Sequence, residues 1–282
     1  GAIIDIHMQT LSFKDSVPKG EYDLFELISI AKDLGYDGVD LEDRQFASTE
    51  PEYLDRMRKH CDDLGMPIGY IGVIGGFGQG MNGDDEGHAA AIRRWTDVCG
   101  HMKIPFIRLI GCAPGKGETD EDAWPRTRDR FAIAAEHPGS VGVKVGLHNH
   151  NHGMFPATGG QILRMLDDVN SPHFTHILDT GQFRGGLGAS GRDDDPDRES
   201  HDIYQYIGQS LHRAEMVRTK IYKITSGEEE WIDYRKIFTI LQDGGFNGPI
   251  SVVYEGRDGL PSMDAMRNAQ KFLSGLRSEY GL

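Results

Sequence analysis

The chain has 282 residues, 38% of them hydrophobic, and a formal net charge of −14. That apolar fraction supports a sizeable core, but no run approaches the roughly 18 apolar residues of a membrane span. Broad negative charge disfavours binding to nucleic acid. Three scattered cysteines are too few for a disulfide framework or a zinc knuckle, so we expect a cytoplasmic protein with a small-molecule ligand. The start at Gly1 leaves a removed leader peptide open.

Eight short apolar segments recur along the chain and predict β-strands. Amphipathic segments of helical period separate them, for example Leu24, Leu27, Ile28 and Ala31. The predicted strands are Ile3–His7, Gly38–Leu41, Ile68–Val73, Phe106–Ile110, Val143–Leu147, Phe174–Leu178, Lys220–Ile224 and Ile250–Tyr254. Eight strand–helix units predict a single-domain α/β fold over residues 1–282, the (β/α)8 TIM barrel.

A doubly wound open sheet is the alternative architecture. It would need a phosphate-binding glycine loop after the first strand, and His7-Met8-Gln9-Thr10 is not one. Two connections are long, Gly75–Gly87 after strand three and Gly181–Ser200 after strand six. In a barrel both lie on the catalytic face, which favours a lid role.

Polar residues where the strands end are the candidate site, because that face of a barrel builds the active site. Strand five runs into His148, Asn149 and His150, and a continued strand would place His148, His150 and His152 on one face. Such imidazoles suit a proton shuttle or a divalent metal. Asp179 and Gln182 follow strand six, where a carboxylate after an apolar strand is either a helix cap or a ligand.

Strands seven and eight add two lysines and a carboxylate. Lys220 and Lys223 lie on opposite faces of the predicted strand seven, and the sequence leaves open which one points inward. An inward lysine could act as a base or hold a substrate oxyanion. Glu255 follows strand eight as a ligand or general base. The earlier strands offer His7, Glu42 and Arg108 as substrate-binding candidates, beside Asn149 and Gln182.

Read in order, these motifs resemble the xylose isomerase-like TIM barrel superfamily of sugar phosphate isomerases and epimerases. The resemblance spans nearly the whole chain. It is carried by Gly35-Tyr36-Asp37-Gly38-Val39-Asp40-Leu41, His148-Asn149-His150, Leu178-Asp179-Thr180-Gly181-Gln182-Phe183, Trp231-Ile232-Asp233-Tyr234 and Gly245-Phe246-Asn247-Gly248-Pro249.

The resemblance implies a divalent cation, often Mn²⁺, held by Glu, Asp, His and Glu at the ends of strands five to eight. Asp179 matches the family aspartate, and His148 stands where the first glutamate is usual. Strand seven has no histidine, and the last glutamate falls at Val253, two residues before Glu255. A metal on His148, Asp179 and Glu255 is one hypothesis; a metal-independent site using His148, His150 and a lysine is the other.

The resemblance implies a sugar isomerase or epimerase that moves a proton beside a carbonyl. A lyase of the same superfamily is the alternative, either a keto-inositol dehydratase or an enzyme that cleaves 3-keto-glycosides. A non-catalytic barrel acting as a partner subunit is a third possibility, and the sequence leaves a homo-oligomer open. A DNA-repair endonuclease of related fold would need more metal ligands and a basic groove. The lack of a phosphate-gripping glycine loop favours unphosphorylated sugars.

Overall fold

The structure, a computed structural model, describes residues 4–73 and 85–282. Its strands are β1 Ile6–Gln9, β2 Gly38–Glu42, β3 Ile68–Gly72, β4 Phe106–Ile110, β5 Lys144–His148, β6 Phe174–Asp179, β7 Ala214–Ile221 and β8 Ile250–Tyr254. Its helices are α1 Leu24–Asp33, α2 Pro51–Leu64, α3 Asp85–Met102, α4 Asp120–Ala134, α5 Glu136–Ser140, α6 Gly159–Val169, α7 Ile203–Ser210, α8 Tyr234–Asp243 and α9 Ser262–Tyr280. Along these ranges no helix combines the length and the apolar character that crossing a bilayer requires.

The strands close into one parallel barrel in chain order, with β8 paired to β1. The predicted (β/α)8 barrel is therefore confirmed. The apolar faces of the surrounding helices pack on the outside of the sheet; Leu24, Leu27, Ile28 and Ala31 of α1 are all buried there. Closure brings the eight carboxyl ends to one rim, so polar residues far apart in sequence meet.

The middle of the barrel is filled by a small apolar cluster. Tyr70, Ile177 and Met216 are buried together, with Phe106 packed against them. Gly146 leaves room for this cluster, because a Cβ there would collide with Ile177. The cluster separates the polar rim from the opposite end of the barrel. The space at the rim is therefore a pocket that is closed at its base, and the barrel has no channel through it.

Strand seven differs from its prediction. It begins at Ala214, six residues before the predicted start, and ends at Ile221, so Ile224 lies beyond it. The first part of the strand was not predicted because it contains the polar residues Glu215, Arg218 and Thr219. Such residues are unusual in a strand that is covered on both faces. The bounds of β1 also differ from the predicted Ile3–His7, because the strand runs from Ile6 to Gln9.

The connection Gly181–Ser200 folds back over the rim. Asn151 Nδ2 donates hydrogen bonds to the carbonyls of Phe183 (3.1 Å) and Gly186 (3.0 Å). Tyr222 donates to the Gly188 carbonyl at 2.7 Å, and Arg257 to the Ala189 carbonyl. These anchors come from the ends of β5, β7 and β8, and they hold the connection against the rim. The other predicted lid, Gly75–Gly87, lies mostly outside the described residues.

A buried ion pair lies on the side of the apolar cluster away from the rim. His7 Nδ1 is 3.1 Å from Asp40 Oδ1, which also accepts from the Gly69 amide at 3.1 Å. Burial lowers the pKa of His7, but Asp40, with smaller contributions from Asp5 and Asp37, outweighs burial and the net shift is upward from the ordinary value.

We therefore expect this pair to make stability pH-dependent. A histidine whose pKa is higher in the folded than in the unfolded chain stabilises most below the unfolded value of about 6.5, and the effect is lost as pH rises through the folded value. The free energy of unfolding of the native chain, minus that of a His7→Gln variant, should decrease between pH 6 and pH 9. Denaturant unfolding at several pH values measures it, and a difference that grows with pH would contradict it.

Candidate active site

A cavity of about 190 Å³ opens at the rim. Its lining comes from nearly every side of the barrel: Leu11, Lys14, Arg44, Arg108, Ile110, His148, His150, Gln182, Ala189, Arg218 and Glu255. Four of these side chains are cations and one is a carboxylate. The anchored connection after β6 contributes Ala189. The volume suits one small molecule, since pockets for drug-sized ligands start at about 300 Å³.

Asp179, fully buried at the end of β6, organises the floor of this cavity. Its Oδ2 accepts from Arg218 Nη1 at 3.0 Å and lies 3.0 Å from His148 Nε2. Lys220 Nζ is 3.6 Å from the same oxygen, and the Gly181 amide donates to Oδ1 at 2.8 Å. Burial alone would raise the pKa of Asp179, but Lys220, His148 and Arg218 together hold it well below its usual range. Asp179 is therefore an ionised anchor.

Arg218 lines the cavity although the sequence did not predict it as a site residue. Its Nε donates to the Tyr70 hydroxyl at 3.0 Å, and its Nη2 lies 3.8 Å from Glu42. The guanidinium is buried among these groups, which raise its pKa despite burial. One signal was available, because residues two apart on a strand share a face and Arg218 shares that of Lys220.

Glu255 at the end of β8 lies between two lysines. Its Oε1 is 3.2 Å from Lys220 Nζ and its Oε2 is 3.2 Å from Lys14 Nζ. Lys220, fully buried behind the cavity wall, also donates to Gln182 Oε1 at 3.0 Å. Burial raises the pKa of Glu255, yet Lys220 and Lys14 outweigh it and the net shift is downward. Glu255 thus presents an ionised carboxylate to the cavity.

A buried ion pair between Arg108 and Glu42 lies on the side of the cavity that β2 and β4 form. Arg108 Nη2 donates to both carboxylate oxygens of Glu42, at 2.8 and 2.9 Å, and Gln9 donates to Glu42 Oε1 at 3.3 Å. Glu42 itself lies behind the lining, whereas Arg108 reaches it. Gly72 makes this packing possible, because a Cβ there would collide with both Glu42 and Arg108.

The two rim histidines hold defined tautomers. An ionised carboxylate only accepts, so the 3.0 Å contact with Asp179 places the proton of His148 on Nε2 and leaves a lone pair on Nδ1. His150 Nδ1 is 2.9 Å from the Asn151 carbonyl, which places its proton on Nδ1 and a lone pair on Nε2. The ring centroids are 5.9 Å apart.

Both imidazoles are neutral at physiological pH. Burial, followed by the charge of Arg218, lowers the pKa of His148 well below its ordinary value even though Asp179 opposes the shift. Burial lowers the pKa of His150 to about 4. Each ring can therefore accept a proton at neutral pH without first having to lose one.

Three predicted residues lie apart from the cavity. Lys223 is half exposed and pairs with Glu230 at 3.2 Å, because β7 ends before it. Asn149 is buried, and both ends of its amide are hydrogen-bonded to the backbone of Asp179. Its Nδ2 donates to the Asp179 carbonyl, and its Oδ1 accepts from the Asp179 amide. His7 lies beyond the apolar cluster, paired with Asp40. These positions remove the geometric basis for a catalytic Lys223 and for substrate contacts by Asn149 and His7.

The predicted alignment of three histidines is also corrected. β5 ends at His148, and His152 has a positive φ of 55°. Its side chain turns toward the connection after β6, with Nδ1 3.5 Å from Ser190 Oγ. Only His148 and His150 reach the cavity.

The donor set does not fit a divalent cation. Over the described ranges, no three His, Cys, Asp or Glu side chains are grouped so that they could hold a metal ion. Asp179 Oδ2 and both oxygens of Glu255 already contact the cationic groups of Arg218, Lys220 and Lys14. A divalent ion between these carboxylates would be repelled by fixed charges a few ångströms away. The expected Mn²⁺ site on His148, Asp179 and Glu255 is therefore not supported.

Comparison with known proteins agrees with the architecture. The profile of the xylose isomerase-like TIM barrel family matches residues 28–276. No curated protein matches the sequence.

Several solved structures share the fold. An L-ribulose 3-epimerase has a TM-score of 0.72 at 16% identity, covering 99% of this chain and 96% of its own. A D-psicose 3-epimerase from Clostridium cellulolyticum H10 has a TM-score of 0.72 at 14% identity, covering 98% and 99%. A structure described as the probable 3-DHS dehydratase of Bacillus anthracis has a TM-score of 0.72 at 14% identity, covering 96% and 99%. At these identities the likeness extends to the fold alone.

We predict that Mn²⁺ does not stabilise this protein. A single site with ion at 100 times its Kd would raise the free energy of unfolding by about 2.7 kcal/mol. Because fixed cations occupy the carboxylates, thermal unfolding with and without millimolar Mn²⁺ should coincide, both for the native chain and for Asp179→Asn. A saturable stabilisation of the native chain that Asp179→Asn abolishes would overturn the prediction.

Proposed function

Because the chain belongs to the xylose isomerase-like TIM barrel family, and because its cavity gathers neutral bases and unpaired guanidinium donors, we propose that it is an enzyme. It moves a proton between neighbouring carbons of a small polyhydroxylated carbonyl compound, as a sugar isomerase does. The observation that carries this proposal is the pair of neutral rim imidazoles beside two buried arginines.

His150 is the proposed proton acceptor. It lines the cavity, its Nδ1 is committed to the Asn151 carbonyl, and Nε2 keeps its lone pair. A base of this kind removes the acidic proton of a carbon beside a carbonyl and contributes roughly 10²–10⁴ in rate. His148, fixed by Asp179, presents a second lone pair that can accept a hydrogen bond from a substrate hydroxyl.

Arg108 and Arg218 are the proposed stabilisers of the enediolate. Arg108 Nε and Arg218 Nη2 are buried and make no hydrogen bond to any described residue. Both side chains line the cavity. Glu42 holds Arg108 Nη2, Tyr70 holds Arg218 Nε, and Asp179 holds Arg218 Nη1. Such preorganised donors stabilise negative charge that develops on oxygen in the transition state.

Isomerisation fits the protonation states better than the other reactions. Neither His150 nor Glu255 carries a proton at neutral pH, because the pKa of each is lowered. Inversion by two facing groups needs one of them protonated, and elimination needs an acid for the leaving group. Isomerisation needs neither, because His150 returns the same proton to the neighbouring carbon while the substrate's own hydroxyl proton moves to the former carbonyl oxygen.

The test is an isotope experiment with a panel of aldoses, ketoses and their acid derivatives in D₂O, followed by NMR. We expect deuterium beside the carbonyl of one substrate pair, with part of the product keeping the original proton because one base carries it. A His150→Gln variant should lose roughly 10²- to 10⁴-fold in kcat. The acid limb of the native rate should lie near pH 4, where His150 protonates.

Complete deuterium exchange with inversion at one carbon would favour epimerisation, and loss of a leaving group would favour a lyase. Binding without exchange across the panel would indicate a non-catalytic barrel. Unchanged kcat in His150→Gln would sink the assignment of the base.

The two strand-seven lysines offer a matched comparison. Lys220→Met removes a buried cation 3.2 Å from Glu255 and 3.6 Å from Asp179, whereas Lys223→Met removes a half-exposed one paired with Glu230. We expect Lys220→Met to lower kcat about tenfold or more. It should also raise the pKa of His150, which the charge of Lys220 helps to lower, and so shift the acid limb of the rate to higher pH. Lys223→Met should match the native chain in both respects. Equal effects of the two substitutions would contradict the positioning role of Lys220.

A further inference from the structure

The charge of the cavity is opposite to that of the chain. The lining residues and the side chains directly behind them include the cations Lys14, Arg44, Arg108, Arg218 and Lys220, against the carboxylates Glu42, Asp179 and Glu255. The rim histidines add no charge at neutral pH. An excess of cations in a chain of net charge −14 marks a local positive potential.

The ion pairs inside the cavity do not use all of the available donors. Arg108 Nε, Arg218 Nη2 and Gln182 Nε2 are buried and lack a hydrogen-bond partner within the described ranges. All three side chains are 1% exposed and line the same cavity. A buried N–H group left without an acceptor costs roughly 1–3 kcal/mol, so three on side chains that line one cavity favour an acceptor bound there.

Arg44 adds a cation at the entrance. It follows β2, is exposed, and makes no ion pair with any residue the structure describes. It lines the cavity together with Arg108, whose guanidinium Glu42 holds in place. Arginine forks of this kind match the oxygens of carboxylates and phosphates.

We propose that the substrate is an anionic sugar derivative, whose carboxylate or phosphate group binds among Arg44, Arg108 and Arg218. This deepens the proposed function and rests on it only in placing the substrate in this cavity. A neutral sugar supplies hydroxyl oxygens but would leave the excess positive charge unbalanced. The small volume favours a short sugar acid over a bulkier phosphate ester.

Binding of matched probes tests the proposal without requiring turnover. D-glucose, D-glucuronate and D-glucose 6-phosphate, with acetate and inorganic phosphate as minimal oxyanions, are titrated into the full chain by calorimetry at low ionic strength. We expect at least one oxyanion probe to bind tenfold or more tightly than glucose, with affinity falling as salt is added. Tighter binding of D-glucuronate and acetate would identify the substrate's anionic group as a carboxylate. Tighter binding of D-glucose 6-phosphate and inorganic phosphate would identify it as a phosphate.

Variants separate this cavity from surface charge. Arg44→Gln should weaken oxyanion binding about tenfold and leave thermal stability unchanged, since Arg44 is exposed. Arg128→Gln removes an arginine from α4, paired there with Asp129, and should bind as the native chain does. Equal binding of oxyanions and glucose, no oxyanion binding at all, or equal losses in both variants would overturn the proposal. Proton exchange on neutral sugars would still leave the proposed function standing.

Discussion

The rim of this barrel depends on one buried carboxylate. Asp179 receives Arg218 and His148 on one oxygen and the Gly181 amide on the other, with Lys220 close by. Removing a single partner from such a cluster leaves an uncompensated charge, which costs several kcal/mol where water cannot reach. Asp179 therefore fixes the positions of Arg218 and Lys220 and the tautomer of His148, and these side chains shape the cavity.

The same cluster is the reason why the chemistry that we propose for this site uses side chains alone. Guanidinium and ammonium groups lie against the carboxylates from which a metal-binding relative would be expected to coordinate its ion. Positive charge is still present where an enediolate would form, but it is carried by covalently attached groups with directional N–H donors. Burial lowers the pKa of both rim histidines, and the charge of Arg218 lowers that of His148 further while the charge of Lys220 lowers that of His150.

The architecture was largely predictable, and the site only in part. Strand and helix periods are local properties, so seven strands fell close to their predicted positions and β4 and β8 matched fully. Strand seven was misplaced because Arg218 and Thr219 resemble surface residues, although both are buried. Burial and partner choice depend on contacts across the barrel. No pattern in the sequence reveals that the Asn149 amide is hydrogen-bonded to the backbone of Asp179. Nor does any pattern reveal that Glu255 pairs with Lys14 and Lys220.

The position of Glu255 has a consequence for how the chain matures. This carboxylate comes from the last strand, and β8 closes the ring by pairing with β1. Until that closure, Lys14 and Lys220 lack the partner that lies between them. Pairing of β8 with β1 therefore couples assembly of the pocket to closure of the barrel.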